Sequence, residues 1–404
     1  MKLFSRKYIK LDIKLASRVR RIKPSPTLAV TAKANQLRLE GVNVLNLAAG
    51  EPDFDTPEHI KQAAIDAINA GQTKYTPVGG TNSLKSAIID KFIRDNGLQY
   101  SMNEILVSCG GKQSFYNLCQ AIIDQDDEVI IPAPYWVSYP DMVLLANGKP
   151  VFIEADHTQN FKINAKQLTS AISNKSKLFV INSPSNPSGA CYSAQELQAL
   201  AEVLLKYPHV MIATDDMYEH ILFGDQKFSN ILSVCPELKP RTIVLNGVSK
   251  AYSMTGWRIG YAAGPVEVID PMKNIQSQST SNPCSISQAA AQIALSSDQT
   301  CVTEMCKAFE ERHDFLVEGL NKINGISCNK SHGTFYCFAN INEAIKLTSG
   351  VEDDVMFATY LLDKCGIAIV PGSAFGMPGY MRISFATSKD NLAESLDRLD
   401  QLMN

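Results

Sequence analysis

The sequence predicts an α/β protein, with a large domain built on a mostly parallel sheet flanked by helices and a smaller α+β domain joined to it. Three observations carry that expectation. Short apolar runs at 105–108, 128–131, 177–182, 210–215, 242–246 and 259–263 are continuous rather than alternating, as in strands covered on both faces. Amphipathic helical patterns lie around them at 27–40, 57–70, 82–96, 112–124 and 193–206. After about residue 300 the pattern changes to helices at 300–322, 353–365 and 389–403 with more alternating strands at 335–339 and 380–385.

Length and composition agree with this division. A chain of 404 residues exceeds one compact core and suggests two or three units of roughly 100–200 residues each. With 45% hydrophobic and 20% charged residues and a mean hydropathy of −0.07, it is globular rather than disordered or fibrous. The expected organisation is a basic extension at 1–16, an N-terminal segment at 17–56 that joins the small domain, a large domain at 57–300, and the rest of the small domain at 301–404.

The net charge of −3 hides an asymmetry, because residues 1–26 hold nine Lys or Arg against the single acid Asp12. The remaining body carries −11, which argues against a nucleic-acid surface. The basic head lacks the 7–15-residue apolar run of a secretory signal, leaving a solvated extension or an organelle-targeting segment. No eighteen apolar residues run together, so no membrane span is expected. Ten scattered cysteines, with Cys119, Cys337 and Cys365 inside apolar runs, read as reduced thiols of a cytoplasmic protein.

In an open α/β sheet, ligands bind beyond the carboxyl ends of the strands. The first run leads into Cys109-Gly110-Gly111-Lys112, where glycines before a helix open backbone N–H groups to an anion. No G-x-G occurs, and Gly111-Lys112 is followed by Gln113, so neither the dinucleotide nor the P-loop fingerprint fits. A smaller phosphate is the better match, although a plain Gly-Gly turn reads the same way. The second run displays Tyr135-Trp136, a slab for a planar ring or an element of the core. The third ends in Asn182-Ser183-Pro184-Ser185-Asn186-Pro187-Ser188-Gly189, whose prolines restrict Asn186.

The fourth run delivers Asp215-Asp216-Met217-Tyr218, and a carboxylate after five apolar residues needs a partner such as a protonated ring nitrogen. The fifth leads to Gly247-Val248-Ser249-Lys250, where desolvation can make a lysine nucleophilic. A phosphate cradle, a ring-nitrogen acid, an aromatic slab and a carbonyl-attacking lysine together specify pyridoxal 5'-phosphate. No metal-ligand spacing or serine-nucleophile motif competes.

The stretch from Gly247 through Lys250 to Met254-Thr255-Gly256-Trp257-Arg258-Ile259-Gly260 resembles the lysine-attachment signature of class I aminotransferases. The 182–189 octad, Tyr135-Trp136, Gly50-Glu51-Pro52-Asp53-Phe54-Asp55, Lys74-Tyr75-Thr76-Pro77 and Met381-Arg382-Ile383-Ser384 extend the likeness over residues 17–403. The resemblance implies a fold-type I pyridoxal-phosphate transferase. It implies Lys250 as the cofactor lysine and proton shuttle, Asp215 on the pyridine nitrogen, Tyr218 and Asn186 on the ring oxygen, and Trp136 on the ring face. The amides of Gly111 and Lys112, with Arg258, would hold the phosphate, and Tyr75 would reach over from a second subunit of a homodimer. Where the family usually carries a hydroxyl, three residues before the lysine, this chain has Gly247, with Ser249 nearby.

For the substrate, the resemblance implies Arg382 and the Gly50 backbone on the α-carboxylate, with Trp136 and Asn186 beside it. Lys112 would take the distal carboxylate, as in the prokaryotic aspartate aminotransferase subgroup. Lys23-Pro24-Ser25 matches a segment that contacts prephenate in bifunctional members, and Lys23 reads equally well as a solvated charge. The competing readings are an aminotransferase of other specificity, a β-lyase of the same fold, and a regulator domain, for which the chain shows no helix-turn-helix pattern.

Overall fold

The computed structural model describes residues 13–22, 24 and 26–404, the last range without the side chains of 26–28. Twelve strands are present among them. In chain order they are β1 (Leu45–Asn46), β2 (Ile105–Ser108), β3 (Glu128–Ala133), β4 (Lys149–Glu154), β5 (Ser176–Asn182), β6 (Met211–Asp215), β7 (Thr242–Gly247), β8 (Gly260–Ala263), β9 (Tyr336–Asn340), β10 (Ile367–Ala368), β11 (Val370–Pro371) and β12 (Tyr380–Ser384).

Seven of them form one sheet in the order β2-β8-β7-β6-β5-β3-β4. Pairings from β7 through β6, β5 and β3 to β4 are parallel, and only β8 runs against its neighbours β2 and β7. The apolar runs are continuous because each face of this sheet has its own core. Along β5, Phe179 and Ile181 enter one cluster and Leu178 and Val180 the other; Val244 and Leu245 on β7 divide the same way. Helices with side-chain caps cover the faces. Thr81 Oγ1 accepts from the Leu84 N–H to start the helix Asn82–Lys91, and Ser193 with Glu196 forms a reciprocal cap on the helix Ala194–Leu205.

Beyond residue 300, β11, β12 and β9 form an antiparallel sheet under the helices Thr300–Leu320 and Lys389–Met403. The N-terminal segment joins this part. Leu45 of β1 pairs with Ile367 of β10, Ser384 N–H donates to Leu47 O at 2.8 Å, and Leu47 is buried beside Met381 and Ile383.

Among the described residues seven helices lie where no amphipathic pattern pointed, including Ser138–Leu145, Ala165–Ala171, Val266–Ser279 and Ser285–Ser296. Pro140 and Pro271 interrupt two of these patterns, and the last buries a stripe of small residues, Ala290, Ala291 and Ala294, which gives weak contrast. Cys119 and Cys337 are buried as expected, whereas Cys365 is only half-buried. Among the described residues no helix is long and apolar enough to cross a membrane.

Phe179 lies at the centre of the sheet with no exposed surface. Phe179→Ala is therefore expected to cost about 3–5 kcal/mol, measured as a lowered midpoint at unchanged slope in urea unfolding.

Candidate active site

Parallel register sets the site. Asn182 lies opposite Asp215, and Asp215 opposite Leu245, so β5, β6 and β7 end side by side. The segments that follow them carry Asn186, Tyr218 and Lys250 into one cavity of about 610 Å³. Arg382, from β12 in the C-terminal part of the chain, closes it from the other side.

One end of the cavity is an anion cradle. The helix Gly111–Ile122 starts from Gly110, whose φ of +89° favours glycine, and a Cβ there would lie 2.4 Å from Arg258 Nη2. Arg258 is held at φ +58°, with Nη1 donating to Thr255 O at 2.8 Å and Nη2 to Cys109 O at 3.3 Å. Gly260 keeps this region close-packed, since its Cβ would fall 2.2 Å from the Gly111 nitrogen. At Gly247 a Cβ would meet Gly260 Cα and Ile259 O at 3.0 Å and Met217 Cε at 3.1 Å. A hydroxyl side chain there would have to push these aside, and Ser249 supplies a hydroxyl on the cavity wall.

Deeper in, Asp215 accepts from Tyr139 Oη at 2.5 Å and from the Met217 N–H at 3.3 Å, while Asn182 Nδ2 fixes its backbone carbonyl at 2.8 Å. Burial raises its carboxyl above the usual range despite those donors and the charge of Lys250. This acid is short of positive charge and suits a cationic N–H ligand. Lys250 Nζ donates to Gly50 O at 2.6 Å. Burial first, then Arg382, Arg258 and Lys112, lower its pKa to about 8, with Glu51 opposing. The neutral amine is accordingly available near neutral pH. Tyr218 lies 3.3 Å, hydroxyl to hydroxyl, from Tyr336, and burial keeps its phenol protonated.

Arg382 is the most buried of the cations lining the cavity, only 2% exposed. Its Nη1 donates to Asn186 Oδ1 at 3.1 Å and Nη2 to Ala48 O at 2.9 Å, yet Nε has no partner among the described residues. Tyr336 and Phe375 cover the guanidinium, with centroids at 4.3 and 5.0 Å. No carboxylate pairs with it there, so the fork is built for an anionic ligand. Lys112 Nζ lies 5.1 Å over the Trp136 ring, and burial followed by the Arg258 charge lowers its pKa. Trp136 in turn meets Tyr139 edge-on at 5.1 Å, which aims the indole along the cavity wall.

Gly50, Gly111, Lys112, Trp136, Asn186, Asp215, Tyr218, Ser249, Lys250, Arg258 and Arg382 thus line one cavity. Tyr75 is 91% exposed and lies off it, and Lys23 falls outside the described residues. Sequence reasoning missed Tyr139, Met217, Glu51 and Tyr336. Tyr139 had only its closeness to Trp136, three residues earlier, as a signal; Tyr336, inside an apolar strand, had none.

This geometry agrees with the comparisons to known proteins. Residues 42–399 match the family model for aminotransferase class I and II. An aspartate/prephenate aminotransferase of Nitrosomonas europaea is 60% identical over 97% of this chain and 100% of its own length. One from Cereibacter sphaeroides is 51% identical over 95% and 97%. Among solved structures, the aspartate aminotransferase of Rhizobium meliloti superposes with a TM-score of 0.93 at 48% identity, covering 96% of this chain and 98% of that one. The Thermus thermophilus aspartate aminotransferase with maleate gives 0.91 at 41%, covering 96% and 100%.

The chain belongs to the class I and II aminotransferases. The family's cofactor is pyridoxal 5'-phosphate, and the site fits it. Asp215 suits a ring nitrogen, the Gly110–Arg258 cradle suits a phosphate, and Lys250 presents a low-pKa amine.

Gly110→Ala would strain a left-handed backbone and displace Arg258. Equilibrium dialysis is expected to show cofactor affinity at least about 10-fold weaker. In the cofactor-free protein, Lys250 should lose its proton as pH rises through about 8. Its reaction with an aldehyde should therefore accelerate across pH 7–9, while a midpoint near 10.5 would contradict the burial argument.

Proposed function

We propose that this chain transfers the amino group reversibly from L-aspartate to 2-oxoglutarate by a ping-pong route, with prephenate as a further acceptor. One observation carries the reading: among the cations lining the cavity, two of different geometry remain for a substrate once Lys250 and Arg258 serve the cofactor. Arg382 offers a planar fork with an unpartnered Nε, and Lys112 a point charge over Trp136. Such a pair matches a substrate with two carboxylates. The Thermus thermophilus relative, solved with maleate, a four-carbon dicarboxylate, supports this, as do the aspartate/prephenate names of the relatives.

In this reading Lys250 would hold the aldehyde carbon of the cofactor, Asp215 its ring nitrogen, Tyr218 and Asn186 its ring oxygen, and Trp136 its face. Gly111, Lys112, Ser249 and Arg258 would hold its phosphate. When bound, pyridoxal 5'-phosphate supplies an electron sink for the pair left behind as the substrate's α-proton departs. Arg382 binds the α-carboxylate beside the Gly50 backbone, and Lys112 takes the distal one. Together they point the α-hydrogen at Lys250. With a pKa of about 8, Lys250 Nζ is a base that accepts this proton and an acid that returns it. Tyr218, kept neutral by burial, donates its O–H and holds charge in the site without competing for the proton.

The remaining assignments belong to the same proposal. Residues 17–56 and 301–404 act as the small domain and 57–300 as the large one, supported by the β1–β10 pairing. The exposed Tyr75 completes the phosphate site of a second subunit in a homodimer. The ten free thiols support a cytoplasmic setting. Lys23 contacts prephenate.

Lys250→Ala is expected to lower turnover by at least about 10⁴-fold and remove the absorbance band of the lysine-bound cofactor; normal turnover would overturn the reading. Arg382→Lys should lower kcat/KM for aspartate by about 100-fold, and Lys112→Ala should erode the preference for aspartate over alanine. A steady-state panel of aspartate and glutamate with oxaloacetate, 2-oxoglutarate and prephenate tests the acceptors. An unchanged prephenate rate in Lys23→Ala would remove Lys23 from the site.

A further inference from the structure

Behind the cavity lies a buried ion pair that the chemistry above does not use. Lys91, 1% exposed, bonds directly to Glu219, 6% exposed. The helix Asn82–Lys91 continues into a π-helical turn, Phe92–Asn96, which brings Asn96 back to both partners. Asn96 accepts from Lys91 Nζ at 2.7 Å and donates to Glu219 Oε2 at 2.7 Å. The other oxygen, Oε1, accepts from Asn246 Nδ2 at 2.5 Å, and Asn246 Oδ1 accepts the Gly247 N–H at 2.7 Å. Asp95 on the same turn reaches His220 at 3.1 Å.

We infer that Glu219 is a positioning residue: held by Lys91 and Asn96, it ties the turn that carries Asp215 and Tyr218 to the end of β7, which leads into Lys250. The inference rests on the proposed joint action of Tyr218 and Lys250. Glu219 directly follows Tyr218, and Asn246 stands four residues before Lys250, so one carboxylate fixes the two segments relative to each other. A buried pair is a poor source of stability, because apolar residues of equal volume pack as well. Its distinctive property is direction: Oε1 bonds Lys91 and Asn246 and Oε2 bonds Asn96, so one carboxylate joins the helix and its turn to the end of β7. Burial would raise this carboxyl, and the charge of Lys91 with the hydrogen bonds from Lys91 and Asn96 outweighs it and holds the group ionised.

The test compares the holoenzyme with Glu219→Gln and with the double variant Lys91→Met/Glu219→Met, which removes both charges at similar volume. Three quantities are read: kcat and KM for aspartate per bound cofactor, circular dichroism in the cofactor's visible band per bound cofactor, and the thermal midpoint. Both variants are expected to lose about 10- to 100-fold in kcat, with KM changed less than about 3-fold and an altered dichroic amplitude, as for a small misplacement of reacting groups. The double variant should melt within about 5 °C of wild type. Wild-type kcat and dichroism per bound cofactor in either variant would overturn the inference. Failure of both variants to fold would overturn it too, assigning the pair to stability. Absence of transamination in the wild-type protein would count against the functional reading instead, and the dichroism would still decide the role of Glu219.

Discussion

The parallel register of β5, β6 and β7 is the constraint on which the rest of the structure depends. These strands end at one level, so three segments far apart in sequence emerge next to each other. Each strand is held by apolar residues on both faces, and a one-residue slip would exchange its two core faces. Rigidity of the sheet therefore becomes precision at Asn186, Asp215 and Lys250, none of which needs to hold itself in place.

A second layer of order is electrostatic. Lys112, Lys250, Arg258 and Arg382 share the cavity with Glu51 and Asp215, so positive charge exceeds negative inside it. Gathering that excess where solvation is reduced has a cost, visible in the lowered pKa of Lys250 and Lys112. Aromatic faces over Arg382 and Lys112 lessen it without neutralising the charge. The cations stay available to a ligand because their protein contacts are carbonyls, an amide oxygen and rings rather than carboxylates.

Much of this was legible in the sequence because the functional residues directly follow apolar runs. Asp215 and Lys250 announce themselves as charges where a buried strand has just ended, and Gly110-Gly111 as glycine ahead of a helix. What stayed hidden depends on contacts across the chain. Tyr336 is an aromatic residue in an apolar strand until Arg382 is placed beside it, and Glu219 is one acid among many until Lys91 faces it. The helix Ser285–Ser296 shows the same limit: alanine buried between helices carries little periodic contrast. The likeness of the 247–260 stretch to a known signature conveyed the chemistry, while the distances that make Lys250 a usable base belong to the folded chain.

The uneven charge of the molecule has a kinetic consequence. A body that is negative overall repels anions over most of its surface, whereas the cluster of cations in the cavity attracts them, and both effects act within about one Debye length, near 8 Å at physiological ionic strength. Low-dielectric walls concentrate field lines in such a cleft. Encounter is thus selective before any contact is made: an anion arriving elsewhere is turned away, and one arriving at the mouth is drawn in. The same field that depresses the Lys250 amine acts as a funnel for anions.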